Sequence, residues 1–249
     1  RENDLVAASF GRGFFVLDDY SALREFTLGN LNKEGKLFQP RPAKWFVQRS
    51  NVGNTGADYY FAKNPEYGAV FTYHLSKKYK TQKSLRQKRE KELNKAEKNV
   101  PFPGWEALDA EKQEMPAQVI LTIEDQQGNV INKVKKKASK GSHRIAWNLE
   151  HFNPFAISMN GRSRRGGGAL ATPGTYQATL HLEKDGNVTK LDGPISFEVK
   201  PIREGVLKGA GYAEYNAFRT DLTSFIQQIS EVQDKFDQSK KKLKALSTA

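Results

Sequence analysis

The clearest pattern in the chain is the alternation of apolar and polar positions between residues 119 and 199. Val119-Ile120-Leu121-Thr122-Ile123-Glu124-Asp125 reads as a strand, Gln127-Gly128-Asn129 as a turn, and Val130-Ile131-Asn132-Lys133-Val134 as the return strand. From His143 to Leu149 the alternation sets His143, Ile145, Trp147 and Leu149 on one face and Arg144, Ala146 and Asn148 on the other. Gly174 to Leu182 alternates too, aligning Tyr176, Ala178, Leu180 and Leu182. Asp185-Gly186-Asn187 then makes a tight turn, and Ile195 to Val199 closes the set. Short strands separated by turn signals predict an antiparallel β-sandwich of about 85 residues.

Beyond it the period changes. Tyr215, Phe218, Leu222, Phe225, Ile226, Ile229, Val232 and Phe236 recur at three- and four-residue steps, the stripe of an amphipathic helix. Such a stripe is expected to pack on the sandwich or on a partner helix. Lys240 to Lys244 suits a helix C-terminus, where cations complement the dipole.

Upstream the pattern is more broken. Asp4 to Asp19 holds two β-type runs around Gly11-Arg12-Gly13. A lone hairpin is marginal in water, so these runs call for partner strands, and the chain reads as the tail of something larger. Leu37-Phe38-Gln39-Pro40-Arg41-Pro42-Ala43 carries two prolines, which bar a central strand and suggest an extended connector. A polar loop is expected from Gln48 to Asn64, and a strand from Tyr67 to Leu75. Ser76 to Val100 is helix-forming in composition, with only Leu85, Leu93 and Ala96 as anchors, and so predicts a surface helix. Pro101-Phe102-Pro103 ends it, and a short second helix is expected over Glu106 to Glu114.

Composition narrows the chemistry. The 249 residues are 37% hydrophobic and 27% charged, enough for a sizeable core. No run approaches the roughly 18 apolar residues of a membrane span. The absence of cysteine excludes disulfides, Cys-ligated zinc, iron–sulfur clusters and thiol catalysis. The net charge of +12 is concentrated: Ser76 to Val100 holds ten Lys/Arg against three Glu, with further lysine clusters at 133–140 and 240–244. Most of these lysines lack interleaved aromatics, so solvated faces or contact with an anionic surface such as lipopolysaccharide fit them better than a nucleic-acid groove.

Candidate catalytic groups do not converge. His74, His143, His151 and His181 have no zinc-type spacing, and neighbouring acids such as Asp18-Asp19 or Glu124-Asp125 point to opposite faces of a strand. Gly166-Gly167-Gly168 after Arg162-Ser163-Arg164-Arg165 has a phosphate-binding look, but no Gly-Lys-Ser/Thr follows. No catalytic residue, cofactor or metal site is assigned. The candidate partner contacts are Arg162, Arg164 and Arg165 in that loop and Phe218, Leu222, Phe225 and Ile229 on the helix stripe, with Trp147 as the sandwich's buried anchor.

Two patterns together resemble a family. Asp4 to Asp19 is similar to the closing strands of a sortilin-like (VPS10/BNR-repeat) β-propeller, and Leu37-Phe38-Gln39-Pro40-Arg41-Pro42 to that family's exit from the propeller. Asn64-Pro65-Glu66-Tyr67-Gly68-Ala69-Val70-Phe71-Thr72-Tyr73 resembles its "N-P-P-Y-G-A" strand. Gly141-Ser142-His143-Arg144-Ile145-Ala146-Trp147-Asn148, followed by Pro173-Gly174-Thr175-Tyr176, resembles its immunoglobulin-like C-terminal module, with a similar arrangement in the flagellar hook-cap protein. The Asp-box of BNR blades is absent, as expected if the blades lie upstream.

The resemblance implies a mainly β fold: the end of a β-propeller, then an immunoglobulin-like antiparallel β-sandwich, with a charged helical excursion and a C-terminal amphipathic helix. The segments are propeller strands and exit connector (1–46), loop and strand leading into the sandwich (47–75), basic helical excursion (76–115), sandwich (116–202) and C-terminal helix (203–249). The implied role is a non-catalytic structural or interaction portion of an exported bacterial protein, periplasmic or at the cell surface. Its expected partners are the upstream propeller, another subunit or an anionic cell-surface polymer. The alternative is an accessory part of a glycoside hydrolase or peptidase whose active site lies in the propeller, with Arg162, Arg164 and Arg165 at its rim.

Overall fold

The computed structural model describes residues 3–11, 13–48, 64–154, 167–203 and 209–247. A hairpin of β1 (Leu5–Ala8) and β2 (Phe14–Leu17) comes first, then a 3-10 turn at Ser21–Glu25 and the one-turn helix α1 (Leu28–Leu31). Next are β3 (Gly35–Leu37), β4 (Ala43–Trp45) and β5 (Ala69–Leu75). Two surface helices follow, α2 (Gln82–Lys95) and α3 (Trp105–Gln113). The strands β6 (Gln118–Glu124), β7 (Val130–Lys137), β8 (Gly141–Trp147), β9 (Gly174–Lys184) and β10 (Asn187–Pro201) come next. The 36-residue helix α4 (Tyr212–Ser247) is last.

The fold is mainly β, and two sheets share its core. One has the order β4-β10-β9-β6-β7, the other β3-β5-β8. All pairings are antiparallel except β4 with β10. Alternation decides which side chains meet between them: Phe71, Tyr73 and Leu75 from β5 and Ile145 and Trp147 from β8 face Leu121 and Ile123 from β6 and Tyr176 and Leu180 from β9. Aromatic rings fill the middle edge-to-face, Phe71 on Phe197 at 5.0 Å and Trp147 on Tyr176 at 5.4 Å. Trp147 is fully buried, and its indole N–H donates to the Glu150 carbonyl at 2.8 Å.

Turn chemistry sets the register. Asp185 and Gly186 both have positive φ and form a two-residue hairpin turn that pairs Lys184 with Asn187. Gly68 sits at φ +102°, where a Cβ would fall 1.9 Å from the Trp147 carbonyl, so only glycine lets β5 start so close to the end of β8. A bulge around Asp192 turns its carboxylate towards the other sheet, where it accepts from the Leu37 N–H (2.8 Å) and Lys36 (2.9 Å).

Several sequence expectations meet a different arrangement. Strands β3, β4 and β5, all before residue 76, belong to the same two sheets as the strands of 116–202. Pro40 and Pro42 lie between β3 and β4, and both strands are sheet edges, which is where neighbouring prolines are tolerated. Local pattern marks a strand but does not name its partner, so a connector and an edge strand look alike in sequence. The excursion does form two helices with no buried residue. Arg86 holds them together, bidentate on Glu111 (2.7 and 2.9 Å) and bonded to Glu90 at 2.6 Å.

Candidate interaction surface

Helix α4 turns a polar face towards the body, and its apolar stripe does not pack on the sandwich. Asn216, Arg219, Thr223 and Ile226 are half-buried and Ser230 is 3% exposed, while Asn216 donates to the Thr172 hydroxyl at 2.9 Å. That seam is polar or small apart from Ile226. The apolar stripe points elsewhere: Phe218, Leu222, Phe225 and Ile229 are 41–64% exposed, and Tyr215, Val232, Phe236, Leu243 and Leu246 are exposed too. Periodicity located the stripe correctly; the sheets were already closed by their own side chains and offered it no groove.

The β1–β2 hairpin is a second exposed apolar element. Its register places Leu5, Leu17, Ala7 and Phe15 on one face and Val6, Val16, Ala8 and Phe14 on the other. All eight residues are exposed, Phe14 at 78% and Phe15 at 66%. Among the described residues no other strand pairs with either edge. Among the described residues its hydrogen bonds to the body are at the base. Arg144, on β8, donates to the carbonyls of Asp18 and Asp19, and the Asp19 N–H donates to the Asp4 carboxylate at 2.9 Å.

A third feature comes from convergence. Two lysine clusters far apart in sequence meet at a cleft of about 560 Å³, which Lys78 and Lys80 line from one side and Lys137 and Lys140 from the other, with Thr81, Ser84 and Ser139 between. Sequence reading found both clusters and could not see that β7 and the chain before α2 are neighbours.

The remaining candidates resolve individually. Arg162, Arg164 and Arg165 lie outside the described residues, as does most of the polar loop expected from Gln48 to Asn64. At the end of the glycine run, a Cβ on Gly168 would lie 1.9 Å from the His151 carbonyl, so this glycine permits two backbone segments to touch. His151 is buried, and its pKa is lowered to about 4 by burial first and then by the nearby positive charge of Arg219. Burial also lowers the pKa of His181. His74 Nδ1 lies 3.0 Å from Ser142 Oγ, and His143 Nε2 lies 3.0 Å from the Ser139 carbonyl oxygen. The cleft of about 310 Å³ at the hairpin root sets Asp18, Asp19 and Glu66 among Arg41, Lys136 and Arg144, so acids and bases are interleaved there. Among the described residues no three metal-ligating side chains cluster, and no helix is long and apolar enough to cross a membrane. No known protein family, curated protein or solved structure matches the chain.

Proposed function

We propose that the chain is the non-catalytic C-terminal structural and interaction portion of a larger exported β-propeller protein. In this reading the β1–β2 hairpin completes the last blade, and the two-sheet body with α4 holds the propeller or a partner in place. The observation that carries it is the hairpin. Strands apolar on both faces suit a sheet covered on both sides, as a blade is by its neighbours, and a two-stranded sheet left in water is marginal. The clamp from Arg144 fixes the hairpin's base to the body and would transmit the blade's position to it.

The body itself reads as an immunoglobulin-like sandwich. In support, β3, β5 and β8 take the places of strands A, B and E, and β10, β9, β6 and β7 those of G, F, C and C′. Tyr176, near the start of β9, donates its hydroxyl to the Thr172 carbonyl at 2.6 Å, the arrangement of a tyrosine corner at the start of strand F. One departure is that the buried Trp147 stands on β8, in the sheet opposite to strand C.

The test is the intact mass of the natural protein, with hydrogen exchange on the hairpin amides. A mass well above 28.1 kDa, with Leu5–Ala8 amides protected in the natural protein and fast in this chain alone, is the expected result. A natural protein of this length, or a hairpin equally fast in both, overturns the reading. The lysine-lined cleft favours a second role, holding an anionic cell-surface polymer. Retention on a sulfated-polysaccharide column should then fall when Lys78, Lys80, Lys137 and Lys140 are changed to Gln.

A further inference from the structure

We infer that α4 is the seam of a homodimer, pairing antiparallel with α4 of a second copy as a two-stranded coiled coil. The inference rests on the interaction role proposed above and names the partner. From Tyr215 to Phe236 the exposed apolar side chains fall at steps of 3, 4, 3, 4, 3 and 4, and Leu243 and Leu246 continue the register with only Ser239 polar. A helix docked on a globular surface needs a broad apolar face of 100° or more, whereas a narrow two-in-seven stripe is the signature of helix pairing with helix. The flanks here are polar, Ile226 excepted, with Glu214, Asp221, Gln228 and Lys235 along one side. Strict heptad spacing over more than four repeats calls for a partner with the same period and length.

A second copy meets that demand. Asn216 ties the helix to Thr172 beside β9, and the stripe residues of its C-terminal half, Val232, Phe236, Leu243 and Leu246, are 65–75% exposed. That part of the stripe can lie along the N-terminal half of another α4, with the two bodies at opposite ends. The seam would cover on the order of 1,000 Å² per copy, more than the roughly 800 Å² per partner of a standard stable interface.

Charge fixes the direction. Lys240, Lys241, Lys242 and Lys244 crowd the C-terminal end, while Glu214 and Asp221 lie in the first turns. A parallel pair would set the two lysine clusters side by side. The antiparallel pair keeps the lysine clusters apart, at opposite ends of the seam, and brings Asp221 beside Lys242 of the second copy, with Arg219 beside Lys240 as the one opposed pair. The heptads then match throughout, with Ile229 facing Val232 at the two-fold axis, Phe225 facing Phe236 and Phe218 facing Leu243.

The chain has no cysteine, so cross-linking can read the direction directly. Sedimentation equilibrium at micromolar concentration should give twice 28.1 kDa, and Phe225→Asp with Phe236→Asp should return the mass to one copy with the core's unfolding midpoint unmoved. Under mild oxidation, Phe218→Cys mixed with Leu243→Cys should form a linked dimer, and neither should link to itself. A single-copy mass for the parent chain, or Phe218→Cys linking to itself, overturns the inference. So does a dimer that survives the α4 changes and is lost on Phe14→Ser, which would place the contact at the hairpin and leave the wider interaction role standing.

Discussion

Strand β9 and helix α4 carry equally regular apolar patterns, yet one is the centre of the molecule and the other is bare. In β9, Tyr176, Ala178, Leu180 and Leu182 are all buried, between strands and against the opposite sheet. In α4, Phe218, Phe225, Val232 and Phe236 stay 58–68% exposed. Period identifies the element and the face that wants covering. Whether this chain supplies the cover is a separate question, decided by what the rest of the fold has left open. The contrast divides the molecule into a body that is complete in itself and two elements, the hairpin and α4, that are not.

The sharpest way to break that division is to remove the body's largest side chain. Trp147→Ala deletes a fully buried ring packed on Tyr176 and Phe197, and should cost about 3–5 kcal/mol in denaturant unfolding. Phe225→Ala, on the bare stripe, should leave the same midpoint within about 0.5 kcal/mol at concentrations where the chain is a single copy. Equal losses would mean that α4 belongs to the body's cooperative unit.

Acid should act on the body next. His151 is held neutral, with its pKa lowered from 6.5 to about 4 by burial and then by Arg219, against a smaller opposing pull from Asp125. The unfolded chain therefore takes up a proton that the folded one refuses. Stability is full above pH 6.5 and falls as pH drops towards 4, by on the order of 2 kcal/mol after solvent screening. His151→Gln should flatten urea-unfolding midpoints between pH 6.5 and 4. A retained slope in that window would assign the acid sensitivity elsewhere.

A smaller effect is expected where the two sheets are tied. Burial works against ionisation of Asp192, but hydrogen bonds from Lys36 and from the Leu37 and Gly193 N–H groups outweigh it and lower its pKa. Its contribution is thus present above the ordinary aspartate range and lost below it, a window lower than that of His151. Asp192→Asn should cost about 1 kcal/mol at neutral pH, and amide exchange at Leu37 should report the loss locally.

How much of this was legible beforehand differs by residue. The inward faces of β8 and β9, the turns at Gly128 and Gly186, the bare excursion and the stripe of α4 were all readable, because each is a local pattern of a few residues. Three things were not. Leu37 and Ala43 gave no sign that they sit in opposite sheets, since pairing is long-range and β3 and β4 have only three residues each. The meeting of Lys78 and Lys80 with Lys137 and Lys140 depends on the path of the chain through α2 and α3. The direction in which α4 faces depends on the sheets having filled their own core.

The hairpin gives the smallest effect on stability and the most direct sharpening of the comparison. If β1 and β2 contribute nothing to the body's core, polar substitution on both faces should be nearly silent in unfolding. Phe14→Ser and Val16→Thr change one face, Phe15→Ser and Leu17→Thr the other, and all four side chains are exposed. Each pair should shift the denaturation midpoint by no more than about 0.5 kcal/mol. The base should also hold, because Arg144 grips main-chain carbonyls that these substitutions leave in place. Binding of an apolar dye should nevertheless fall with each pair, since these side chains supply a large part of the hairpin's exposed apolar surface, the rest coming from Leu5, Val6 and Phe10. A clear stability loss from one pair but not the other would show that one face already rests on the body. The hairpin would then be covered on that side and need a partner only on the other.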